Sequence, residues 1–366
     1  MLTRILLRPT ASLFLSLFIA ALAFGDTPAP AENAPDAPVE KTTVRYRDLF
    51  RSSAFTLVTE NDKYFAGTDR HYTNGLKLSF LGTTRLDESP DFIRGVTKLI
   101  PTLRHDASRQ LYKAGVSLGQ NIYTPSNTDP IVAQPEDRPY AAWLYVSLDL
   151  QAKSADGKLL RMVSLAVGMV GPAALGQQVQ NGFHDLIDEP HAEGWDTQLK
   201  NEPGLILSWE RRYRLLRFDL GSPHLSTDYI GRVGLNLGNI QTNAFGGFAA
   251  RIGWNLPNDF GADLIRPSGG DEAPAHNTSL YFFASGEARG VARNIFLDGN
   301  TWRDSQSVDK RPLVADLNVG LAARLPLKLG SIEGIQVAYT QNYRTKEFYG
   351  QLKRDVFGSI SVSVLF

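Results

Sequence analysis

The sequence predicts an all-β chain folded as a transmembrane antiparallel β-barrel of twelve strands, and three observations carry that reading. The chain opens like an exported protein. Its body alternates apolar and polar residues with a period of two, and it ends in Ile360, Val362, Val364 and Phe366 with Ser361 and Ser363 between them. Alternation alone also fits a soluble sandwich, whose apolar faces meet each other. The export leader, and strands of the ten or so residues that a tilted crossing needs, favour the membrane. An alternating last strand with a terminal Phe resembles the mark by which barrel-assembly machinery recognises outer-membrane barrels.

Taken in order, Arg4 and Arg8 precede an apolar run from Ala11 to Phe24, with Ala21 and Ala23 in an A-x-A arrangement. This predicts a signal peptide over residues 1–23, cleaved after Ala23 or Gly25. A membrane anchor is the alternative, but the run is short for a span. The absence of cysteine excludes lipid anchoring, disulfides, thiolate metal sites and cysteine nucleophiles. Residues 24–43, rich in Pro, Ala and Glu, cannot bury a core and are expected to form a disordered periplasmic tail. The barrel is expected over 44–366. Lys and Arg total 38, as do Asp and Glu, so the bulk positive field of a nucleic-acid binder is missing. A monomer is expected.

Lys113 to Asn121 shows the pattern clearly, with Ala114, Val116 and Leu118 on one face and Lys113, Gly115, Ser117, Gly119 and Asn121 on the other. The same reading gives strands at 54–61, 72–81, 112–122, 140–151, 159–170, 204–212, 215–222, 228–238, 279–289, 312–324, 334–344 and 355–366. Gly246 to Trp254 is assigned to a long connection, because single-chain bacterial barrels have even strand numbers. With both termini periplasmic, the connections at 62–71, 123–139, 171–203, 223–227, 290–311 and 345–354 face outward, and Arg212–Leu215 is a short inward turn. Phe92, Ile93, Val96, Leu99 and Ile100 suggest an amphipathic periplasmic helix.

Three polar segments share the outward rim: Thr59–Lys63, His71–Gly75 and Gly176–His184. Together they offer a carboxylate, amides, a hydroxyl and an imidazole, the groups that acid–base chemistry and oxyanion stabilisation require. Singly each is ordinary: Asn-Asp closes turns, and a lone loop histidine is usually solvated. Basic residues near the last two outward loops suit lipopolysaccharide phosphates, or simply an anionic leaflet.

The ordered set Asn61-Asp62, Tyr72-Thr73-x-Gly75, Gln120-Asn121-Ile122-Tyr123-Thr124-Pro125-Ser126, Asp137-Arg138-Pro139-Tyr140-Ala141 and Gly171-Pro172 through His184 resembles the outer-membrane lipid A 3′-O-deacylase family. The resemblance covers about residues 54–366 and is dense up to Trp195. It implies a twelve-stranded barrel that removes the 3′-acyloxyacyl chain of lipid A in a Ca²⁺-dependent reaction. It further implies His184 as general base, Asp62 as the site acid and metal ligand, and Asn61, Thr73 and Gln180 as the polar shell. His184 would activate water, while Ca²⁺ would polarise the carbonyl; Thr73 as nucleophile is the second mechanism. The family's lysine after the Ile-Tyr-x-Pro-Ser segment is missing, since Asn127 to Pro139 holds no lysine. Arg138 and Lys77 are the expected substitutes for substrate binding. A phospholipase and a passive pore or structural barrel are the competing functions.

Overall fold

Alternating strands bury their polar groups only if the sheet has no edge, and here the sheet closes. The computed structural model describes residues 53–64, 71–84, 103, 110–261, 264–265 and 277–366. Among them, twelve antiparallel strands form one closed barrel. They are β1 (Ser53–Asn61), β2 (His71–Thr84), β3 (Gln110–Thr124), β4 (Ala141–Ser154), β5 (Leu159–Val170), β6 (Glu202–Ser222), β7 (Leu225–Leu237), β8 (Gln241–Trp254), β9 (Ser279–Asn294), β10 (Leu313–Leu329), β11 (Ile332–Arg344) and β12 (Asp355–Leu365). β1 and β12 close the ring in register from Ala54↔Leu365 to Asn61↔Gly358, so no ladder hydrogen bonds are left at an edge. The expected signal peptide, tail and amphipathic helix lie outside the described residues.

The barrel is inside-out relative to a soluble protein. Phe55, Leu57, Leu76, Leu78, Phe80, Val116, Leu118, Val146, Leu148, Leu165 and Val167 are exposed on the exterior. Their neighbours Thr56, Lys77, Ser117, Ser147, Asp149 and Ser164 are buried in the lumen. A polar interior under an apolar exterior is the arrangement of a membrane barrel.

Two strand assignments change while the count stays at twelve. Arg212–Leu215 is no turn: β6 runs unbroken from Glu202 to Ser222, with a bulge between Arg214 and Leu216. The chain reverses instead at Ser222–Leu225, so the link expected to face outward at 223–227 is at the rim that carries the start of β1 and the end of β12. We refer to this as the proximal rim. Gly246–Trp254 belongs to a full strand, β8, paired on both sides. Gly246 and Gly247 weaken its apolar pattern for a packing reason: a Cβ on Gly247 would lie 2.5 Å from the Gly286 carbonyl oxygen of β9.

After β8 the chain turns back into the lumen. Asp259, buried there, accepts from Arg251 Nη1 at 2.5 Å and from Arg324 Nη2 at 2.6 Å, while Arg251 also reaches Asp228. The backbone N–H of Ile265 donates to Glu60 Oε1 at 3.0 Å, well up the barrel. Nearer the opposite, distal rim, Arg289 and Arg344 share Asp316, and Arg138 meets Glu347.

Candidate active site on the outer wall

The long distal connection between β5 and β6 folds as a 3₁₀ turn (Pro172–Ala174) followed by helix α1 (Gly176–Ile187). Pro172 sets the entry, and Leu175 at φ 59° turns the chain into the helix. Gly176, Gln180 and His184 recur at i, i+4 and i+8 and form its buried row. A Cβ on Gly176 would sit 2.5 Å from both Ala142 Cβ and Trp195 Cη2, so only glycine lets the helix come this close.

Strand parity says which side of the wall the helix covers. Val116 and Leu118 of β3 face the exterior, so Gln120 and Ile122 do too, yet Ile122 is fully buried. Ala142 of β4 shares the face of exposed Val146 and Leu148, and it is buried as well. Ile122, Tyr140, Ala142, Ala174, Ala192 and Trp195 form one apolar cluster. The Gln120 side chain donates to the Ala174 carbonyl at 2.6 Å. Helix α1 and its flanks therefore lie against the outside of the barrel at its distal end.

Asn61 shares the exterior face of Phe55 and Leu57, and Asp62 follows it in the turn that ends β1; both are buried. The Asn61 side chain accepts from the Lys63 backbone N–H at 2.7 Å, which shapes that turn. Lys63 Nζ pairs with Glu189 Oε1 at 3.3 Å and draws the turn to the C-terminal end of α1, where His184 lies. Thr73 occupies the register shift between Tyr72 and Asn74, and its hydroxyl meets that of Thr124 at 2.6 Å. The His184 Nδ1 is 2.5 Å from the Pro190 carbonyl oxygen, and Trp195 Nε1–H donates to Gln180 Oε1 at 2.9 Å. Asn61, Asp62 and Thr73 thus lie at the distal ends of β1 and β2, and the Lys63–Glu189 pair links this turn to the segment that follows α1.

Lys77 and Arg138 belong elsewhere. Both are fully buried, and Lys77 shares the lumenal parity of β2, opposite exposed Leu76 and Leu78. Arg138 pairs with Glu347 and lies over the Tyr123 ring at 4.9 Å. Lys77 thus lies on the lumenal face of β2, and Arg138 beside Tyr123 and Glu347, neither on the face that carries Gln180. A lumenal cavity of about 150 Å³, lined in part by Glu60, Tyr72, Asn121, Trp143 and Arg344, is likewise separated from Gln180 and His184 by the sheet. Two supporting groups were missed in the sequence: Trp195, whose indole N–H needs a buried partner, and the Pro190 carbonyl, which no residue type betrays.

Comparison with known proteins gives one family. The model described as outer membrane protein LpxR matches residues 13–366. No curated protein sequence matches the chain. Among solved structures, LpxR from Salmonella typhimurium superposes with a TM-score of 0.64 at 20% identity, covering 86% of this chain and 99% of that one. The β domain of the Bordetella autotransporter BrkA gives a TM-score of 0.40 at 10% identity, covering 86% and 97%. The translocator domain of NalP from Neisseria meningitidis gives 0.39 at 8%, covering 98% and 95%.

Proposed function

The chain belongs to the LpxR family of outer membrane proteins, and from that premise we propose that it is an outer-membrane esterase that removes the 3′-linked acyloxyacyl chain of lipid A. The observation that carries the mechanism is the contact of His184 Nδ1 with the Pro190 carbonyl. A carbonyl oxygen only accepts, so Nδ1 carries a proton, and in the neutral ring Nε2 is the nitrogen that can accept one. The carbonyl performs for this histidine the orienting task that a carboxylate performs in a triad.

His184 Nε2 takes a proton from water, and the hydroxide adds to the ester carbonyl carbon. The tetrahedral oxyanion collapses, the C–O bond to the sugar breaks, and the imidazolium returns its proton to the departing alkoxide. The products are the free acid and the sugar hydroxyl. Gln180 and Asn61 supply amide groups beside the reacting centre. The Thr73 hydroxyl is engaged with that of Thr124 within the wall, which favours water as nucleophile.

The Ca²⁺ that the resemblance implies suits the donors here, which are hard oxygens: the Asp62 carboxylate, the Asn61 amide and the Thr73 hydroxyl. Among the described residues no group of three or more His, Asp or Glu is placed to hold a metal. Asp62 would be the ionised ligand, with neutral oxygens completing a shell of about six to eight. When bound, the ion would supply Lewis-acid polarisation of the ester carbonyl. The pore alternative loses support from the ion-paired segment 255–261 that lies inside the lumen.

The test is expression in a host with hexa-acylated lipid A, followed by mass analysis of the extracted lipid. Loss of the 3′-linked acyl pair supports the reading, and His184→Ala at equal expression should abolish it, since a positioned base contributes about 10²- to 10⁴-fold. Unchanged lipid A with the wild-type protein refutes it, and free fatty acid with lysophospholipid would make the protein a phospholipase.

A further inference from the structure

Helix α1 carries a second row beside the buried one. Val179, Phe183 and Leu186 recur at i, i+4 and i+7 and so form a single stripe about 10 Å long. Val179 is 39% exposed and Leu186 is 80% exposed. Leu175 and Ile187, at the two ends of the helix, are exposed as well. At 100° per residue, the stripe falls directly beside the row of Gly176, Gln180 and His184, with Asn181, Gln178 and Asp185 on the far side. A helix on a soluble surface would turn such a stripe inward. Here the inward position is taken by glycine, an amide and an imidazole, and the apolar stripe lies along the side of the helix, with Val179 and Leu186 exposed and Phe183 half-buried.

What the stripe meets follows from where the helix lies. It is on the exterior of β3 and β4, and the same exterior continues below it as Leu118, Val116, Val146 and Leu148, the apolar band of the barrel. The stripe is therefore continuous with the surface that faces acyl chains. We infer that Val179, Phe183 and Leu186 form an acyl-chain track: a fatty acyl chain of the substrate lies along them and leads its ester to the adjacent Gln180–His184 row. This rests on the esterase reading and adds how the chain is held. A substrate drawn sideways from the leaflet needs no path through the lumen, which agrees with the position of Lys77 and Arg138 inside the wall.

The experiment measures kcat/KM of the full-length protein for a lauroyl ester and for a butyryl ester of the same alcohol, in the wild type and in Val179→Gln/Leu186→Gln. Both side chains are exposed and glutamine keeps the helix, so folding is preserved. The ratio of long-chain to short-chain kcat/KM is expected to fall roughly tenfold or more, as for loss of two apolar contacts, while the butyryl value stays within about twofold. An unchanged ratio would overturn the track, and so would an equal loss on both esters, which would mark the stripe as a general membrane contact. A readout independent of turnover uses the His184→Ala protein and a lauroyl ester with a terminal diazirine. Crosslinks at residues 179–186 that excess unlabelled lauroyl ester displaces, and the butyryl ester does not, support the track. Undisplaced or absent labelling refutes it. If the wild type leaves lipid A intact but the chain-length ratio and the crosslinks behave as stated, the deacylase reading fails and the track stands.

Discussion

The indole N–H of Trp195 donates to the Gln180 Oε1 at 2.9 Å, and both side chains are buried. This one bond settles which end of the Gln180 amide is which. With its oxygen turned to an N–H donor, the amide has its NH₂ on the side away from the indole. Trp195 also packs against Tyr140 with ring centroids 5.1 Å apart, so the indole is held from two sides.

Replacing Trp195 by Phe keeps an aromatic ring in the cluster but removes the donor. The Gln180 oxygen then loses this donor. We expect kcat for ester hydrolysis to fall by about 10-fold or more, the scale of one lost charge-stabilising donor or less, with KM nearly unchanged. Steady-state kinetics decide it: a rise in KM alone would make Trp195 a packing residue.

Asp62→Asn is the corresponding test for the metal. The barrel is held by its closed ladder, so the variant should fold and keep its heat-modifiable migration on gels. Chelation should silence the wild-type enzyme and added Ca²⁺ restore it, whereas Asp62→Asn should stay at least about 10²-fold down at any Ca²⁺ concentration. Wild-type turnover in excess chelator would remove Ca²⁺ from the mechanism.

The sequence shows the barrel well and its inside less well. Val116, Leu118, Val146 and Leu148 alternate so regularly that strand, face and count follow from periodicity. β8 was hidden because Gly246 and Gly247 carry no side chain to alternate, although at Gly247 close approach to β9 is what requires the glycine. Arg212 to Leu215 looks like a turn because charges cluster there, but those charges point into a polar lumen where Arg212 pairs with Glu210. That the segments of Asn61, Gln180 and His184 share one rim follows from strand parity, and the roles expected of them follow from the family resemblance. That Lys77 and Arg138 lie on the opposite face depends on parity at β2 and on the Glu347 partner more than two hundred residues away, and the motif spacing contains neither.

At the distal rim His71 joins three segments: its Nδ1 is 2.5 Å from Asp355 Oδ1, its Nε2 is 2.8 Å from Ser126 Oγ, and Asp137 lies 3.6 Å away. Burial works to lower the His71 pKa, but the hydrogen bonds with Asp137 and Asp355 outweigh it and raise the value above the ordinary histidine range. Burial works to raise the Asp137 pKa, and the bonds from His71 and Ser126 hold it well below the ordinary carboxylate range. A raised histidine stabilises fully below its unfolded value of about 6.5 and loses that contribution as pH rises through the folded value. A lowered carboxylate keeps its contribution above about 3.9 and loses it only in stronger acid. Hydrogen exchange in the loop 345–354 should therefore be slow at mildly acidic pH and quicken above neutrality beyond its intrinsic pH dependence. In His71→Gln that excess should vanish; an identical pH profile in the variant would show that the loop is held by other contacts.

The lumen gives the last prediction. Asp259 receives Arg251 and Arg324, and the Lys153 ammonium donates to the carbonyl of the neighbouring Asn258 at 2.5 Å. The segment 255–261 is thus pinned inside the barrel by cations from β4, β8 and β10. Removing the carboxylate leaves Arg251 held by Asp228 and Arg324 by Gln336, and breaks two buried contacts to Asp259, a loss of the order of 3–5 kcal/mol for a buried pair that loses one partner. The apolar anchors Leu256 and Phe260 contribute about 1.5–3 kcal/mol each, a comparable amount, so the segment is loosened by the substitution. In planar bilayers the wild-type protein should be electrically silent, and Asp259→Ala should show discrete openings. The strand ladder does not depend on this segment, so the variant should still insert. Silence from an inserted Asp259→Ala barrel would mean that the distal Arg289–Asp316–Arg344 network closes the lumen on its own, whereas conductance in the wild type would show that the pinned segment does not block the passage.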